Sequence, residues 1–292
     1  MRTMGDDRET LHLFGITGAT GALGRRIAER LARRGEAQRL IVRDLNRAPE
    51  LPRAGAAMAA YEDTAAFERA VKGVDTLLLV PAPESDLRVE LHLGAIDAAL
   101  AAGVTRIVYV SFLSAGPAAV YTAARDHFYS EAHIRAAGVA HTVLRPGLYL
   151  DLLPSWVDAE GLLRGPAGRG RLAWVSRDDV ADAAVAVLTG GDAHEGRTYD
   201  LTGPEAVTLG ETARRLSALT ARRIVYVAET WQESAAWAPS ARTGADPAAC
   251  AAIAAGELDA VSPAVPELTG RPAQSIEGFL RTRPSALHHV RR

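Results

Sequence analysis

The chain has 292 residues, 48% of them hydrophobic and 23% charged, enough apolar material for one large α/β domain or for a cofactor domain with a smaller companion. A formal net charge of −2, with no Lys/Arg run beside interleaved aromatics, argues against a protein that coats nucleic acid. The single Cys250 allows no internal disulfide, and "MRTMGDDRETLH" is acidic where a signal peptide needs an apolar core, so a cytoplasmic setting without a membrane span is expected.

In chain order, "LHLFGIT" (11–17), "RLIVR" (39–43), "AAMAAY" (56–61), "TLLLVP" (76–81), "RIVYVSF" (106–112) and "AHTVLRP" (140–146) read as strands. They are nearly continuous apolar runs, as expected of strands covered on both faces. Between them "LGRRIAERLARRG", "DTAAFERAVKG", "ESDLRVELHLGAIDAALAAG" and "VYTAARDHFYSEAHIRAAG" read as helices, stopped at Gly35, Gly73, Gly103 and Gly138. This alternation predicts right-handed crossovers and an α/β fold, a Rossmann-type doubly wound parallel sheet with a smaller C-terminal substrate-binding part. The expected division is a cofactor-binding core over 1–150, to which 171–202 returns, and a mainly substrate-binding part over 151–292. In the second half a helix opens near Asp178, two short strands flank a further helix around "LGETARRLSALT", and "TWQESAAWAPSARTGADP" reads as loop or loose helix before a frayed "HHVRR".

"ITGATGALGRR" joins the first strand to the first helix with glycines at 18, 21 and 24. Gly18 permits a tight turn, Gly21 lets the backbone approach a pyrophosphate, and Gly24 lets the helix pack closely on the strand. The helix N-terminus adds free N–H groups and a partial positive charge. At the end of the second strand a carboxylate would bind a ribose 2′-hydroxyl, whereas an arginine would grip a 2′-phosphate. Arg43 stands there, with Asp44 after it and Arg47 a turn further on, so NADP(H) is expected over NAD(H); the competing assignment gives Asp44 the ribose.

Together "ITGATGALG", "LIVRDLNRA", "AFERAVKGVDTLLLV", "AGVTRIVYVSFLSA", "TVLRPGLYLDLL" and "RGRLAWVSRDDVADAAVAVL" resemble the NmrA-like atypical short-chain dehydrogenases, in particular their bacterial NADPH:quinone reductases, from Leu11 to about Val227. The resemblance implies that Gly18, Thr20, Gly21, Ala22, Leu23 and Gly24 surround the pyrophosphate and that Arg43 meets the 2′-phosphate. It places Pro81, in "LVPAP", on the adenosine side, and Pro146 and Gly147, in "RPGLY", at the nicotinamide. Arg177 would close the cleft. Ala60 departs from the family, whose members often have an aspartate facing the adenine amine.

Carbonyl reduction in short-chain dehydrogenases uses a tyrosine acid tuned by a lysine one helical turn later, with a serine or threonine at the end of the fifth strand. Ser111 occupies that strand end, and Tyr149 is the other candidate near the reacting carbon. Aligned on the helix, the Tyr and Lys positions fall on Phe128 and Ala132 of "FYSEA". Three explanations stand open. Tyr121 with Arg125, or Tyr129 with His133, could replace the pair, against a plain reading in which Tyr121 is surface and Tyr129 packs. The substrate could be protonated by its own hydroxyl or by water, as a quinone or a ketone beside a phenol would be. Or the protein senses NADP(H) without turnover. The second is favoured: NADPH-dependent reduction of a small-molecule ketone or quinone, flat and aromatic like a polyketide; Trp156, Trp174, Trp231 and Trp237 could face it, although tryptophan more often fills a core or an interface. No metal site is expected, since His127 and His133 are six apart and lie on different helix faces. Asp178 and Asp179 read as complements of a helix macrodipole, Asp63 as a turn or cap residue, and "GPAGRGR" with Arg169 and Arg171 as a lid or a solvated loop. The chain is expected to act as a monomer or homodimer.

Overall fold

The computed structural model describes residues 12–237 and 244–290. The six apolar runs form β1 (Leu13–Thr17), β2 (Ala37–Val42), β3 (Ala54–Met58), β4 (Thr76–Leu79), β5 (Arg106–Val110) and β6 (Ala140–Pro146). The expected start of the first strand at Leu11 lies outside the described residues. After the short strands β7 (Leu162–Gly165) and β8 (Arg171–Leu172), β9 (Thr198–Leu201) joins the main sheet beside β6. The sheet order is β3-β2-β1-β4-β5-β6-β9, with every pairing parallel. The order reverses between β1 and β4, and in such sheets ligands bind at the carboxyl ends of the strands flanking that point.

The helices that connect these strands are α1 (Ala22–Arg33), α2 (Thr64–Val71), α3 (Arg88–Ala101) and α4 (Thr122–Ala136). α5 (Leu153–Trp156) and α6 (Arg177–Thr189) follow β6. Alternate residues of β4 show why the runs are apolar throughout. Leu78 packs with Leu23, Ile27 and Leu31 of α1 and Val180 of α6, whereas Leu77 and Leu79 pack with Phe67 of α2, Ile96 of α3 and Ile134 of α4. Both faces of the sheet are therefore core.

The remaining chain forms β10 (Val207–Thr208), α7 (Leu209–Thr220), β11 (Val225–Ala228), α8 (Trp231–Trp237), α9 (Pro247–Ala254), α10 (Ala264–Thr269) and α11 (Ile276–Thr282). β10 pairs with β8 and β11 with β7, so two small sheets stand beside the main one. The segment 171–202 lies on the main sheet through α6 and β9, and so does α10, whose Ala264 and Val265 join the α1–α6 core. The fraying expected of the tail is corrected up to Val290, which is buried, while His289 hydrogen-bonds the Val157 carbonyl oxygen at 2.8 Å.

Local chemistry sets several boundaries. Asp63 caps α2, accepting from the Ala66 N–H at 2.9 Å. Ser176, not an aspartate, caps α6. Asp178 and Asp179 do more than complement that helix's dipole: Asp178 binds Arg30 of α1 at 2.9 Å and Arg283 at 2.6 Å, and Asp179 binds Arg271 at 2.7 Å. These pairs tie α6 to α1 and to the C-terminal chain. Among the described residues no helix is long and apolar enough to cross a membrane.

Candidate functional site

At the end of β1 the chain turns at Gly18, which has φ +63°, a conformation that favours glycine. The Gly21 N–H donates to the Gly18 carbonyl at 2.8 Å and closes the turn. In the first turn of α1, a Cβ on Gly24 would lie 2.3 Å from the same carbonyl oxygen, so a side chain there would force the helix off the strand. Gly21 is the N-cap of α1 and offers no side chain to its free N–H groups, and the first helical turn holds no acidic residue. Such an end attracts an anion.

Gly18, Thr20, Gly21, Ala22, Leu23, Gly24, Arg43 and Pro81 line one cleft of about 240 Å³. Beyond β2, Asp44 caps the next turn with its carboxylate, accepting from the Asn46 N–H at 3.0 Å. Arg43 is exposed, and its guanidinium has no hydrogen-bond or ion-pair partner among the described residues. The two adjacent charges thus differ: the carboxylate caps a turn through Oδ1, and the guanidinium has no such bond among the described residues. Ala60 and Phe67 line the same cleft, and Glu62 is a carboxylate lining it beside them. The wall opposite is pinned by Tyr61, whose hydroxyl donates to the Val80 carbonyl at 2.6 Å, and by Thr17, whose hydroxyl accepts from the Val80 N–H at 2.8 Å. Burial pushes the Tyr61 pKa upward, which keeps its proton in place.

The residues expected around the reacting carbon lie beyond β5 and β6 and outside this cleft. Ser111 is buried, and its hydroxyl donates to Glu131 Oε1 at 2.5 Å. Glu131, on α4, also accepts two bonds from Arg145, at 2.8 and 2.6 Å, and one from Arg135 at 2.8 Å. Despite complete burial its pKa is lowered, because Arg145, Ser111 and Arg135 all stabilise the anion. Ser111 is therefore a partner of a buried carboxylate, with its proton committed. Pro146 and Gly147 are buried at the end of β6, the Pro146 carbonyl accepting from Leu113 and the Gly147 N–H donating to Leu201. Tyr149 follows, with the Arg177 guanidinium 4.6 Å over its ring. Burial pushes the Tyr149 pKa up to about 12. The Arg177 N–H donates to Asp151 at 3.0 Å.

On α4 the buried face carries His127, Ser130, Glu131 and Ile134. Phe128 is half-buried and Ala132 exposed, so the aligned Tyr/Lys positions lie off that face. Neither substitute pair forms. Tyr121, expected at the surface, is buried and donates to Glu84 at 2.8 Å, while Arg125 bonds the Ala119 and Val120 carbonyls. Tyr129, expected to pack, is exposed, and His133 pairs with Asp97 at 2.7 Å. Trp156 and Trp174 meet at 5.2 Å in the C-terminal core, and Trp237 donates to Glu229 at 3.0 Å, so these three rings are fixed by packing or bonding; Trp231 is exposed. In "GPAGRGR", Arg171 hydrogen-bonds the Ala206 carbonyl. Sequence reasoning passed over Tyr61, Arg88 and His92, which brace the cleft wall. The signal was present in "RVELH", where Arg88 and His92 lie one helical turn apart and so share a helix face.

Glycine turn, uncapped helix and free arginine at the switch point define a dinucleotide-binding Rossmann protein. Over residues 18–190 the chain matches the family described as NAD(P)H-binding, and it belongs to that family. It is 37% identical over 282 residues to (4-alkanoyl-5-oxo-2,5-dihydrofuran-3-yl)methyl phosphate reductase of Streptomyces griseus, covering 90% of this chain and 95% of that one. It is 30% identical over 285 residues to NAD(P)H azoreductase of Xenophilus azovorans, covering 93% and 98%. The crystal structure of the NADPH-dependent quinone oxidoreductase of Escherichia coli complexed with NADPH superposes with TM-score 0.84 at 30% identity, covering 92% of this chain and 99% of that one. The atypical short-chain dehydrogenase fold expected from the sequence is the fold observed, and the relatives include NmrA-like oxidoreductases.

Proposed function

We propose that this chain is an NADPH-dependent reductase that delivers hydride to an electron-poor conjugated acceptor, a quinone or a ketone in conjugation with an aromatic or olefinic system. The observation that carries the reading is the pairing of a cofactor cleft with a reaction side lacking the usual tuned Tyr/Lys acid: Ser111 is committed to Glu131, and Phe128 and Ala132 stand where tyrosine and lysine would. An isolated ketone concentrates charge on one oxygen and needs a donor there. A conjugated acceptor spreads that charge, and water or its own hydroxyl completes the proton transfer. The relatives' names describe a quinone, an azo compound and an unsaturated lactone phosphate, all conjugated acceptors. A flat polyketide-like aromatic ketone meets the same requirement, although Trp156 and Trp174 give it no support because they are core residues.

In this reading the N–H groups at the start of α1, reached across Gly18, Gly21 and Gly24, hold the pyrophosphate, with Thr20, Ala22 and Leu23 around it. Arg43 holds the 2′-phosphate and sets the preference for NADP(H) over NAD(H). Pro81 borders the adenosine, while Pro146 and Gly147 border the nicotinamide. Tyr149, under Arg177, keeps its proton and shapes the pocket. When bound, NADPH supplies the hydride. The chain's contribution is to fix donor and acceptor in line, from which most of the acceleration comes. Loss of NADPH absorbance with a panel of quinones, enones and azo compounds tests this. Turnover of at least one class is expected, and binding without turnover on any would favour a cofactor-sensing role instead.

A further inference from the structure

Behind the cleft wall at Val80–Pro83 five polar side chains are almost wholly buried: Arg88, His92, Tyr109, His127 and Ser130. Apolar residues would fill this space at lower desolvation cost. Arg88 even leaves Nη1 without a hydrogen bond, 3.8 Å from the Asp126 carboxylate.

Their hydrogen bonds have a single consistent proton order. The Ala82 N–H donates to His92 Nε2 at 2.9 Å, which makes Nε2 an acceptor and puts the ring proton on Nδ1. Nδ1–H then donates to Ser130 Oγ at 2.9 Å, and the Ser130 hydroxyl donates to the Asp126 carbonyl at 3.1 Å. Arg88 Nε donates to the Ala82 carbonyl at 3.0 Å, and its Nη2 to His127 Nε2 at 3.1 Å. His127 accordingly carries its proton on Nδ1 and gives it to the Tyr109 oxygen at 2.7 Å. Both imidazoles are neutral.

Two side chains one turn apart on α3 thus grip both backbone polar atoms of a single residue, Ala82. That residue is flanked by prolines, so within Pro81–Pro83 only Ala82 has an N–H by which the backbone can be tied. Pro81, Ala82 and Pro83 all line the cofactor cleft, and the preceding Val80 closes on the phosphate turn, its Cγ1 only 3.1 Å from where a Cβ on Gly18 would stand. From this we infer that Arg88 and His92 are positioning residues for the dinucleotide, acting through the Ala82 peptide to hold this wall against the Gly18 turn. The inference rests on the NADPH reading above and adds the residues that set the cleft's width.

The test compares NADPH binding by wild type, His92→Leu, His92→Gln and Ser130→Ala, with thermal melting recorded for each and steady-state kinetics on an accepted quinone. His92→Leu removes the acceptor of the Ala82 N–H. It should weaken NADPH binding and raise its KM at least about tenfold, with kcat at saturating NADPH falling less than about threefold. His92→Gln, whose amide can accept from Ala82 and donate to Ser130, should restore most of the affinity. Ser130→Ala, which frees the Nδ1–H but leaves the ring, should weaken binding about threefold and provides the test should His92→Leu fail to fold. Lower melting temperatures with unchanged NADPH affinity in the folded variants would overturn the positioning role alone. Absence of NADPH binding by the wild type would overturn the cofactor reading, and this inference with it.

Discussion

The Ser111 hydroxyl lies 2.5 Å from Glu131 Oε1, inside a cluster closed by Arg145 and Arg135. A serine that orients a substrate oxygen is worth about 10²–10³ in rate. Here the proton is already given to a buried carboxylate, so Ser111→Ala is expected to lower kcat less than about tenfold. It should also lower stability by about 2 kcal/mol, the worth of a hydrogen bond to a charged group. Steady-state kinetics and urea melts on the same preparation separate the two effects. A hundredfold loss of kcat with unchanged stability would return Ser111 to the chemistry.

Arg43 and Asp44 are adjacent and make opposite predictions. Arg43→Ala should weaken NADPH binding by about ten- to a hundredfold, from the loss of about 1.5–3 kcal/mol in charge-assisted bonds, and leave NADH binding nearly unchanged. Asp44→Ala removes the bond to the Asn46 N–H, at about 1 kcal/mol of stability, and should leave the NADPH/NADH ratio as it is. Calorimetric titration of both dinucleotides decides between them, and a collapse of NADH binding in Asp44→Ala would reverse the assignment.

Phe128→Tyr with Ala132→Lys puts the residues of acid-dependent relatives back at the aligned positions, beside an acceptor that in this account needs no protein acid. The buried face of α4 is formed by His127, Ser130, Glu131 and Ile134, and the new side chains would point to a half-buried and an exposed position. Turnover should change less than tenfold, about 1.4 kcal/mol of barrier. A larger gain would show that the site lacks only its acid.

The first six strands could be read from the sequence because the sheet is covered on both faces, so each strand is a continuous apolar run. β9 was less legible: only Leu201 of "TYDL" is buried, and at the sheet edge no apolar run forms. The turn between β1 and α1 was legible because glycine at 18 and 24 is demanded by a dihedral angle and by a backbone contact, both local. The roles of Ser111, Tyr121 and His92 were not, since each depends on partners brought from elsewhere in the chain: Glu131, Glu84, and the Ala82 peptide with Ser130. The tryptophans could not be assigned from the sequence for the same reason, because aromatic residues that could face a ligand and those that fill a core look identical until packing is known; Trp156 and Trp174 are core, the commoner case.

The two buried histidines make stability depend on pH. Burial, helped by Arg88, lowers the His92 pKa to about 3 and that of His127 well below its ordinary value. Arg88, Tyr109, Tyr61, Asp126 and Arg145 are the titratable or charged groups around them, and none supplies a carboxylate bonded to either ring. Unfolding releases both imidazoles to their ordinary pKa, so below about pH 6.5 the unfolded chain binds protons that the folded chain does not. The stabilisation is complete above that pH and is lost as pH falls toward the folded values, by up to about 1.4 kcal/mol per pH unit for each histidine. Glu131 and Asp178, whose pKa values are lowered, add their own losses only in the more acidic carboxylate range. Urea midpoints between about pH 7 and 5 should therefore decline in wild type and decline less steeply in His92→Gln. Midpoints that rise as pH falls would contradict the neutral network.

The most direct measurement follows deuterium. NADPH labelled at the nicotinamide C4 is incubated with the protein and an accepted conjugated ketone or enone, because the hydrogens a quinone gains end on oxygen and exchange with water, and the organic product is analysed by mass spectrometry and NMR. The account predicts deuterium on the reduced substrate when the label sits on one face of the ring and none when it sits on the other, with Arg43→Ala losing the transfer at low NADPH. Tight NADPH binding with no deuterium reaching any acceptor, from either face, would contradict it.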